Sequence, residues 1–390
     1  MRVVVTGQVG MDKKAFLDRA VRSAPPGEPV EVFHVGQRMY AEAPDVAAGR
    51  ILDLPLGRLN ALRRSVFKDI LAAADAGGHL IVNTHATFRW RHGLFYAFDY
   101  DMMLDLAADL YVVVVDNIDR VHARLVRDGH TDHTLKDLMV WREEEVLATE
   151  LLAQIVRPPA GPARTAAGAG RRGDFFILAR GADAAVGPDA AADVLAKLMF
   201  APRLKTAYLS FPMSHVVGDP GALAAVDRFR SEMKKHFICF DPGDVEEKPL
   251  AQRALAAAEA GRHHVVAACD GREIHIPTAE ILSILPDIDG QIYARDFKLI
   301  DQADMIVSLI PEATGAADAP PRPAISSGVE RELQHAHEAA KEVFVIWLPK
   351  APPSPFVTET ATRVFNAVAE AVEFFYADGF VPAPRGGLFG

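Results

Sequence analysis

The sequence predicts an α/β protein with two consecutive domains, each built on a parallel sheet. Its 390 residues exceed what one hydrophobic core usually organises. Short β-branched runs alternate with helical patterns along the chain, as parallel sheets require, and a second series of them begins at Thr206.

The first half contains five short apolar runs that are typical of buried parallel strands. They are residues 2–5, 30–34, 79–82, 110–115 and 175–179. Residues 157–173 are rich in Ala, Pro, Gly and Arg and predict a mobile loop. Because the strand at 175–179 and a helix at 189–200 complete the first sheet, we place the domain boundary at 201–204. The predicted domains are residues 1–201 and 202–390.

The second half repeats the pattern without an evident internal repeat. Its predicted strands are residues 206–210, 236–240, 263–268, 305–310 and 343–348. Residues 312–323 predict a flexible loop just before residues 326–332, where it can cover the site.

Composition excludes several classes of protein. The 42 Lys and Arg against 52 Asp and Glu give a formal net charge of −10, which disfavours duplex nucleic acid as a partner. Cys239 and Cys269 have no metal-ligand or disulfide spacing, so no metal site is expected. The sequence predicts no signal peptide and no membrane span. We therefore expect a cytoplasmic protein without a membrane partner.

The turn after the first strand contains part of a phosphate-binding loop. Gly7 and Lys13 have the required spacing, with Gly10 between them, so that backbone N–H groups and an ammonium can bind phosphate oxygens. Asp12 occupies the second required glycine position, and Lys14 replaces the hydroxyl residue that binds magnesium. Two interpretations remain open, a nucleotide-binding loop and a tight turn that binds no ligand.

The first domain resembles the archaeal-type adenylate kinases, a family of P-loop nucleoside monophosphate kinases. Residues 81–87 (Ile-Val-Asn-Thr-His-Ala-Thr) are similar to the end of a strand in that family, with Asn83 in place of an aspartate. Residues 119–128 are similar to the helix that leads into its lid, where arginines clamp phosphates. The resemblance therefore implies nucleotide contacts for Arg124 and Arg127.

Other residues depart from the kinase pattern. Residues 129–133 stand where the family has a later pair of lid arginines. With Asp12 repelling phosphate and Lys14 unable to bind magnesium, we expect a kinase-like fold that transfers no phosphoryl group and either senses a nucleotide or serves only as a scaffold. His85 has either a structural or a catalytic interpretation.

Three polar segments border predicted strands of the second domain, at the edge where open parallel sheets bind ligands. They are the strand end at 208–215, the helix at 295–304 that leads to the strand at 305–310, and the turn into a helix at 325–336.

These segments, in this order, resemble the nucleoside 2-deoxyribosyltransferase family. Tyr208 matches its first-strand tyrosine, Asp296 its helix aspartate and Glu332 its nucleophile. Gly328 and Leu333 match further positions of its motif Asp-x-Gly-x-x-x-Glu-Leu-Gly. The resemblance implies a flavodoxin-like or Rossmann-like domain whose substrate is a nucleoside or nucleotide and whose glycosidic chemistry needs no cofactor.

The same resemblance implies substrate contacts around the two outer segments. The implied contact residues are Phe211, Pro212, Met213, Ser326, Ser327 and Gly328. Ser326 stands in the place of the motif's aspartate, and Gln334 in the place of its final glycine. In the family, the aspartate orients the base or helps to shuttle its proton.

The chemistry needs a carboxylate beside the anomeric carbon, because an anion stabilises an oxocarbenium-like transition state and can form a glycosyl-enzyme intermediate. Glu332 supplies this group. A second acidic group must protonate the departing base, and Asp296 is the candidate if burial or Glu332 raises its pKa.

Alternatives remain open. One is an NAD glycohydrolase in a defence system, and another is a nucleotide sensor without catalysis. Glu332 can also be read as a solvated residue at a helix start, and Tyr208 as core packing with its hydroxyl bonded. Arg295 can pair with a phosphate or belong to a surface ion pair, and the ion pair is the expected role.

The family's subunits complete each other's sites, so the resemblance also implies a homo-oligomer. The apolar helix predicted at 361–377 supports this weakly, although it can equally close the domain.

Overall fold

In the computed structural model of the chain, the described residues are 1–47, 49–90, 93–130, 132–156, 173–181, 190–213, 216, 218–269, 272–313 and 322–382. The side chains of five of these are not described, namely Trp90, Ala190, Ala268, Cys269 and Arg272. Almost all of the loop predicted at 157–173 lies outside these ranges. So do most of the loop predicted at 312–323, Ser214, His215 and the chain beyond residue 382.

Up to residue 180 the strands are β1 (Arg2–Thr6), β2 (Val30–His34), β3 (His79–Asn83), β4 (Thr87–Trp90), β5 (Gly93–Tyr96), β6 (Leu110–Val115) and β7 (Asp174–Ala179). The α-helices of this part are α1 (Lys13–Arg22), α2 (Val35–Glu42), α3 (Leu56–Asp75), α4 (Tyr100–Leu106), α5 (Ile118–Arg127) and α6 (Leu135–Val156).

From residue 190 onward the strands are β8 (Thr206–Ser210), β9 (Ile238–Phe240), β10 (His264–Cys269), β11 (Arg272–Pro277), β12 (Met305–Ile310), β13 (Glu312–Ala313), β14 (Arg322–Pro323), β15 (Glu342–Trp347) and β16 (Arg363–Phe365). The α-helices are α7 (Ala190–Phe200), α8 (Pro220–His236), α9 (Lys248–Glu259), α10 (Thr278–Ser283), α11 (Leu285–Asp301), α12 (Ser327–Glu338), α13 (Pro355–Thr358) and α14 (Val368–Ala377).

The first large sheet has five parallel strands in the order β2-β3-β1-β6-β7. All five predicted strands are present, because each is a short run of apolar residues that the sheet buries. Strand β6, which lies between β1 and β7, is buried at every position.

The second large sheet also has five parallel strands, in the order β16-β15-β12-β8-β9. The predicted class, α/β with two parallel sheets, is therefore confirmed. The strand predicted at 263–268 exists as β10, but its place in this sheet was predicted wrongly. β10 pairs antiparallel with β11 in a two-stranded ribbon.

The edge strand β16 occupies part of the segment that was predicted as the helix 361–377. Hydrogen bonds join Thr362 N to Val343 O at 2.7 Å and Val343 N to Thr362 Oγ1 at 2.9 Å. Phe365 is fully buried in the core beside Phe344, so these residues extend the sheet, and α14 begins only at Val368.

The contact pattern divides the chain into two compact units. The first unit contains Met1–Arg180 and Glu247–Ile288, and the second contains Gly181–Glu246 and Asp289–Gly390. This division differs from a single boundary at 201–204. In the second unit, α7 contacts β9, and Lys197 Nζ of α7 donates to Lys234 O at 2.6 Å.

The two faces of the second sheet differ in polarity. Ala207, Leu209 and Val307 belong to the apolar core together with residues of α8 and α14. Because side chains alternate along a strand, Tyr208 and Ser210 of β8 lie on the opposite face. Helix α12 contacts β12 and β15. Among the described residues, no helix is long and apolar enough to span a membrane.

Candidate functional site

Helix α12 carries Glu332 towards the sheet. Ser326 caps its first turn, because the Ser326 side chain accepts a hydrogen bond from Val329 N at 3.2 Å. Val329, Leu333 and Ala336 form the buried stripe of the helix. Glu332 lies next to this stripe, three residues after Val329, so its side chain reaches the polar face of β8.

Two strand hydroxyls hold the carboxyl group of Glu332. Tyr208 Oη donates to Glu332 Oε1 at 3.1 Å, and Ser210 Oγ donates to Oε2 at 2.6 Å. Tyr208 and Ser210 are fully buried, and Glu332 is partly buried. The interpretation of Glu332 as a solvated residue is therefore wrong, whereas Tyr208 is a buried residue with a bonded hydroxyl, which both of its interpretations allow.

Burial changes the ionisation of both partners. It raises the pKa of Glu332 from 4.5 to about 8, and the negative charge of Asp296 adds to this rise. The hydrogen bonds from Ser210 and Tyr208 oppose the rise. Burial also raises the pKa of Tyr208 well above its usual range, and the charge of Glu332 contributes. At neutral pH the Tyr208 hydroxyl is therefore a neutral donor, and Glu332 is mainly protonated.

Asp296 and Arg295 lie on α11 and are both buried, with exposed fractions of 7% and 8%. Arg295 Nε is 3.8 Å from Asp296 Oδ1, and Arg295 Nη2 donates to Val245 O at 2.7 Å. The expectation of a surface ion pair for Arg295 is thus wrong. Asp296 acts on both Glu332 and Tyr208 as a negative charge, which brings together the three predicted catalytic residues.

Sequence reasoning missed Ser308, which lies on the same face of the sheet. Ser308 of β12 pairs in register with Ser210 of β8. Its hydroxyl is fully buried and has no hydrogen-bond partner among the described residues. Ser210 was also missing from the predicted site. The available signal was spacing, since Ser210 lies two residues after Tyr208 and Ser308 interrupts an apolar run.

The implied substrate-contact residues are placed in different environments. Phe211 is buried in the core with residues of α8, and the guanidinium of Arg230 lies 5.3 Å from its ring centre. Pro212 is buried, and Met213 packs against the same core. The structure therefore places Phe211 on the far side of the sheet from Glu332.

The remaining contact residues lie in the first turn of α12. Ser326 uses its hydroxyl as the helix cap, whereas Ser327 and Gly328 are exposed. A Cβ atom at Gly328 would meet only Ser326 Oγ, at an ordinary 3.5 Å. A larger side chain at position 328 would therefore meet no steric clash within the protein.

In the first unit, the loop before α1 needs its glycines for structural reasons. Gly7 has φ +141° and Gly10 has φ +85°, conformations that other residues rarely adopt. A Cβ at Gly7 would lie 2.7 Å from Val114 O, and one at Gly10 would lie 2.9 Å from Leu125 Cγ. Asp12, in the second required glycine position, is also left-handed, with φ 47°.

Lys13 is the first residue of α1 and is turned into the protein. Its Nζ donates to Gly7 O at 2.9 Å and also to Thr84 O. Burial lowers the pKa of Lys13 to about 8, although the charge of Glu145 opposes this. The ammonium group that would neutralise a phosphate is thus already bonded within the loop.

Arginines fix the rest of this loop. Arg124 bonds Gly10 O and pairs with Asp116 Oδ2 at 2.6 Å, and both side chains are buried. Arg127 Nη2 lies 3.2 Å from both carboxylate oxygens of Asp12, and Arg180 bonds Met11 O. Neither Arg124 nor Arg127 is among the described residues that line the neighbouring cavity. The structure assigns them contacts that shape the loop.

A second buried acid, Glu145 of α6, lies below the loop. Its Oε2 accepts from Ala86 N at 2.8 Å, and its Oε1 is 3.4 Å from His85 Nδ1. Burial and the charge of Lys13 lower the pKa of His85, so the imidazole is neutral. Sequence reasoning missed Glu145, because it lies in a run of three glutamates that resembles a solvated helix face.

The cavity beside this loop has a volume of about 410 Å³. Residues 8–14 form one wall, and His34, Tyr40, Phe88 and His130 contribute to the others. The volume is in the usual range for a small-molecule site. The cavity therefore has room for a ligand near Lys13, although the loop's own polar groups are bonded.

Comparisons with known proteins add little. No protein-family model matches the chain, and no curated protein matches it either. Matches among solved structures include a tunicamycin resistance protein from Deinococcus radiodurans, at 15% sequence identity and a TM-score of 0.27. The match covers 41% of this chain and 98% of that chain. This likeness is too weak to support a fold or a function.

Proposed function

We propose that the second unit cleaves or transfers the N-glycosidic bond of a nucleoside or nucleotide, with Glu332 as the nucleophile. The observation that carries the proposal is the attachment of both Glu332 carboxyl oxygens to buried strand hydroxyls, within the field of Asp296. A carboxyl group held in one orientation beside a second acid is what glycosidic chemistry requires.

In this mechanism, Tyr208 and Ser210 fix the rotamer of Glu332. One Glu332 oxygen attacks the anomeric carbon as the bond to the base breaks, which leaves a glycosyl ester on the enzyme. The ring nitrogen of the departing base keeps the electron pair and takes up a proton, for which Asp296 is the candidate donor. An acceptor base or water then attacks the same carbon and releases the carboxylate. The acceptor decides between transfer and hydrolysis.

The first step needs the ionised form of Glu332. Since burial raises its pKa to about 8, only a minor fraction is ionised at pH 7 in the ligand-free protein. We therefore expect kcat/KM to rise with pH up to this value.

Replacing Glu332 tests the proposal. Glu332→Gln keeps the shape and the contacts with Tyr208 and Ser210 but cannot attack, so base release should fall by roughly 10³-fold or more. The matched control is Glu330→Gln, which removes an exposed carboxylate from the same helix and should leave turnover within about twofold. Chromatography of free base from deoxynucleosides and their monophosphates measures both. Normal turnover in Glu332→Gln would contradict the proposal.

For the first unit we infer a nucleotide-binding role without phosphoryl transfer. Its support is the 410 Å³ cavity beside Gly7, Gly10 and Lys13. Lys13 can reach a phosphate group only by leaving Gly7 O and Thr84 O, and Asp12 adds a negative charge at the loop. These residues fit weak binding of a nucleotide better than they fit magnesium-dependent catalysis.

We also propose that the chain forms a homo-oligomer through its second unit. An open groove between α8 and α14 is lined by Ala225, Leu348, Val368 and Val372, with charged residues at its rim. Light scattering at micromolar concentration should give at least twice the 42.3 kDa mass of the chain. A monomeric mass would contradict this.

A further inference from the structure

Ser308 is a polar side chain in an apolar part of the second unit. It is fully buried on β12, and its hydroxyl has no hydrogen-bond partner among the described residues. A buried hydroxyl without a partner has lost its hydrogen bonds to water and gained none in return, which lowers the stability of the fold. Native proteins rarely keep such a group, so its presence at this position needs a physical reason.

The register of the sheet shows what Ser308 can reach. On the same face of the sheet, Ile306 and Ile310 lie two residues before and after it, and Val345 of β15 pairs with it on one side. On the other side it pairs with Ser210 of β8. Neighbouring strands lie about 4.8 Å apart. Ser210 is the polar residue among these four neighbours, and a rotation of the Ser308 side chain can bring the two hydroxyls together.

Ser210 links this position to the carboxyl group of the site. Its single O–H donates to Glu332 Oε2 at 2.6 Å, and the lone pairs of its oxygen can accept a further hydrogen bond. Helix α12, which carries Glu332, contacts both β12 and β15. The buried residues of this helix are apolar, namely Val329, Leu333 and Ala336. The polar groups next to Ser308 are therefore those of the pair formed by Ser210 and Glu332.

We propose that Ser308 is a positioning residue for Glu332, because its hydroxyl donates to Ser210 Oγ when Glu332 is ionised. This role rests on the proposed N-glycosidic function and adds a residue to its site. An ionised carboxylate polarises the Ser210 hydroxyl that donates to it, and a hydroxyl oxygen polarised in this way is a better acceptor. The bond between the two serines is not formed in the structure, and only the Ser308 hydroxyl has to rotate to form it.

The resulting chain from Ser308 through Ser210 to Glu332 favours the carboxylate, which is the form that attacks the anomeric carbon. The titratable groups that act on Glu332 are Asp296 of α11 and Tyr208 of β8. Both groups remain when Ser308 is replaced by alanine. A change in the ionisation of Glu332 in this variant can therefore be assigned to the lost hydroxyl.

The first test measures the ionisation of Glu332 without turnover. The protein is labelled with glutamate that carries carbon-13 in its side-chain carboxyl group, and the NMR signal of Glu332 is assigned by its absence from Glu332→Gln. In Ser308→Ala the pKa of Glu332 should rise by about 0.5–1, which is the effect of one net hydrogen bond. An unchanged pKa would overturn the inference.

A double-mutant cycle tests whether Ser308 acts through Ser210. Ser210→Ala should raise the pKa of Glu332 by more than Ser308→Ala does, since it removes a direct hydrogen bond. Adding Ser308→Ala to Ser210→Ala should raise the pKa by less than about 0.2 further, because the accepting oxygen is gone. If Ser308→Ala had the same effect in both backgrounds, it would not act through Ser210 and the proposal would be wrong.

Release of base from deoxynucleosides gives the functional readout. In Ser308→Ala, kcat/KM should fall about three- to tenfold at pH 6.5 and by less than about twofold at pH 9.5, where Glu332 is ionised in both proteins. A loss of equal size at the two pH values would indicate a substrate contact or a damaged fold, and it would contradict a positioning role for Ser308.

The matched control is Thr206→Val, which also removes a buried hydroxyl from the second unit. Thr206 lies at the start of β8, and its Oγ1 accepts from Asp304 N at 2.8 Å. This variant should lower the free energy of unfolding but leave the pKa of Glu332 and the pH profile unchanged. Ser308→Ala should show the reverse, because its hydroxyl has no partner in the described part of the chain. A shifted profile in both variants would show that loss of stability alone moves it.

The two readouts separate the role of Ser308 from the function on which it rests. If no deoxynucleoside releases base but Ser308→Ala raises the pKa of Glu332, the N-glycosidic function fails and the link between Ser308 and Glu332 stands. If base release depends on Glu332 while the pKa and the pH profile of Ser308→Ala match those of the wild type, the function stands and the role of Ser308 fails.

Discussion

Each unit places one buried ionisable side chain beside the end of a parallel strand. This side chain is basic in the first unit and acidic in the second. In the first unit burial lowers the pKa of a lysine, Lys13, to about 8. In the second unit burial raises the pKa of a glutamate, Glu332, to about 8. In each case, removal from water disfavours the charged form.

The partners of these two groups differ more than their pKa values do. Lys13 bonds backbone carbonyls of its own loop and of the next strand, and arginines tie down other parts of that loop. A ligand that recruits Lys13 must therefore break bonds that hold the fold. Glu332 is held by two side-chain hydroxyls that orient its oxygens and leave the backbone unaffected. This difference supports the proposal of catalysis in the second unit and of binding without phosphoryl transfer in the first.

The largest difference expected between the two units is in catalysis, because the first unit should have no kinase activity. The chain should form no ADP from ATP and AMP, because Lys14 cannot bind magnesium and Asp12 opposes phosphate. A coupled assay at nanomolar enzyme measures this. Rapid ADP formation that Lys13→Ala abolished would show that the first unit is also catalytic, against the contrast drawn here between the two units. Lys13→Ala should leave base release by the second unit within about twofold of the wild-type rate, provided that it folds.

A smaller effect is expected from the tyrosine hydroxyl of the second unit. Tyr208→Phe removes the donor to Glu332 Oε1, so kcat for base release should fall roughly 10- to 100-fold. Since this hydrogen bond opposes the rise in the pKa of Glu332, the ascending limb of the pH profile should also move to higher pH.

The control for this variant is a buried tyrosine of the first unit. The hydroxyl of Tyr111 is buried and makes at most a weak contact with the backbone of Ala108, so Tyr111→Phe should change stability little and leave base release unchanged. Equal losses of activity in the two variants would show that Tyr208 acts only through stability.

The smallest effect is on stability. The folded pKa of Glu332, about 8, lies above its ordinary value of 4.5, so the native state binds more protons than the unfolded chain between these pH values. The free energy of unfolding contributed by Glu332 therefore falls as pH rises through this window. Glu332→Gln mimics the protonated form and does not titrate.

Urea unfolding at pH 5 and pH 9 measures this difference. The free energy of unfolding of Glu332→Gln, relative to that of the wild type, should increase by about 1–3 kcal/mol from pH 5 to pH 9. Asp244, whose pKa burial raises to about 7, titrates in the same window but is present in both proteins. Glu330→Gln should show no gain. A constant difference between Glu332→Gln and wild type would mean that the Glu332 side chain is solvated in solution.

Much of the fold follows from local sequence patterns. The strands of the first sheet are continuous apolar runs, and such runs are recognisable because both faces of a parallel sheet are buried. β16 escaped prediction because three residues are too few to produce a pattern, and Phe365 fits the helical spacing of the residues after it. The assignment of Glu247–Ile288 to the first unit depends on long-range contacts that no local pattern records.

The sites divide in the same way. Tyr208, Asp296 and Glu332 were predicted through a family resemblance, and the structure brings them together. Ser210, Ser308 and Glu145 were missed because serines and glutamates are common on surfaces, and only the packing of strands and helices shows that these are buried. Arg124 and Arg127 were predicted to clamp phosphates. In the folded chain Arg124 pairs with Asp116 and Arg127 with Asp12, and the sequence pattern did not indicate these ion pairs.

The most direct test of the central claim is to trap the glycosyl-enzyme. A 2′-fluoro nucleoside, which slows breakdown of such an intermediate, is incubated with the protein, and the digest is analysed by mass spectrometry. The account predicts that the peptide containing Glu332 gains the mass of the sugar, and that fragmentation places it on this residue. Glu332→Gln should gain none, whereas Glu330→Gln should be labelled like the wild type. A sugar attached to another residue, or base release from this substrate without any adduct at Glu332, would contradict the account.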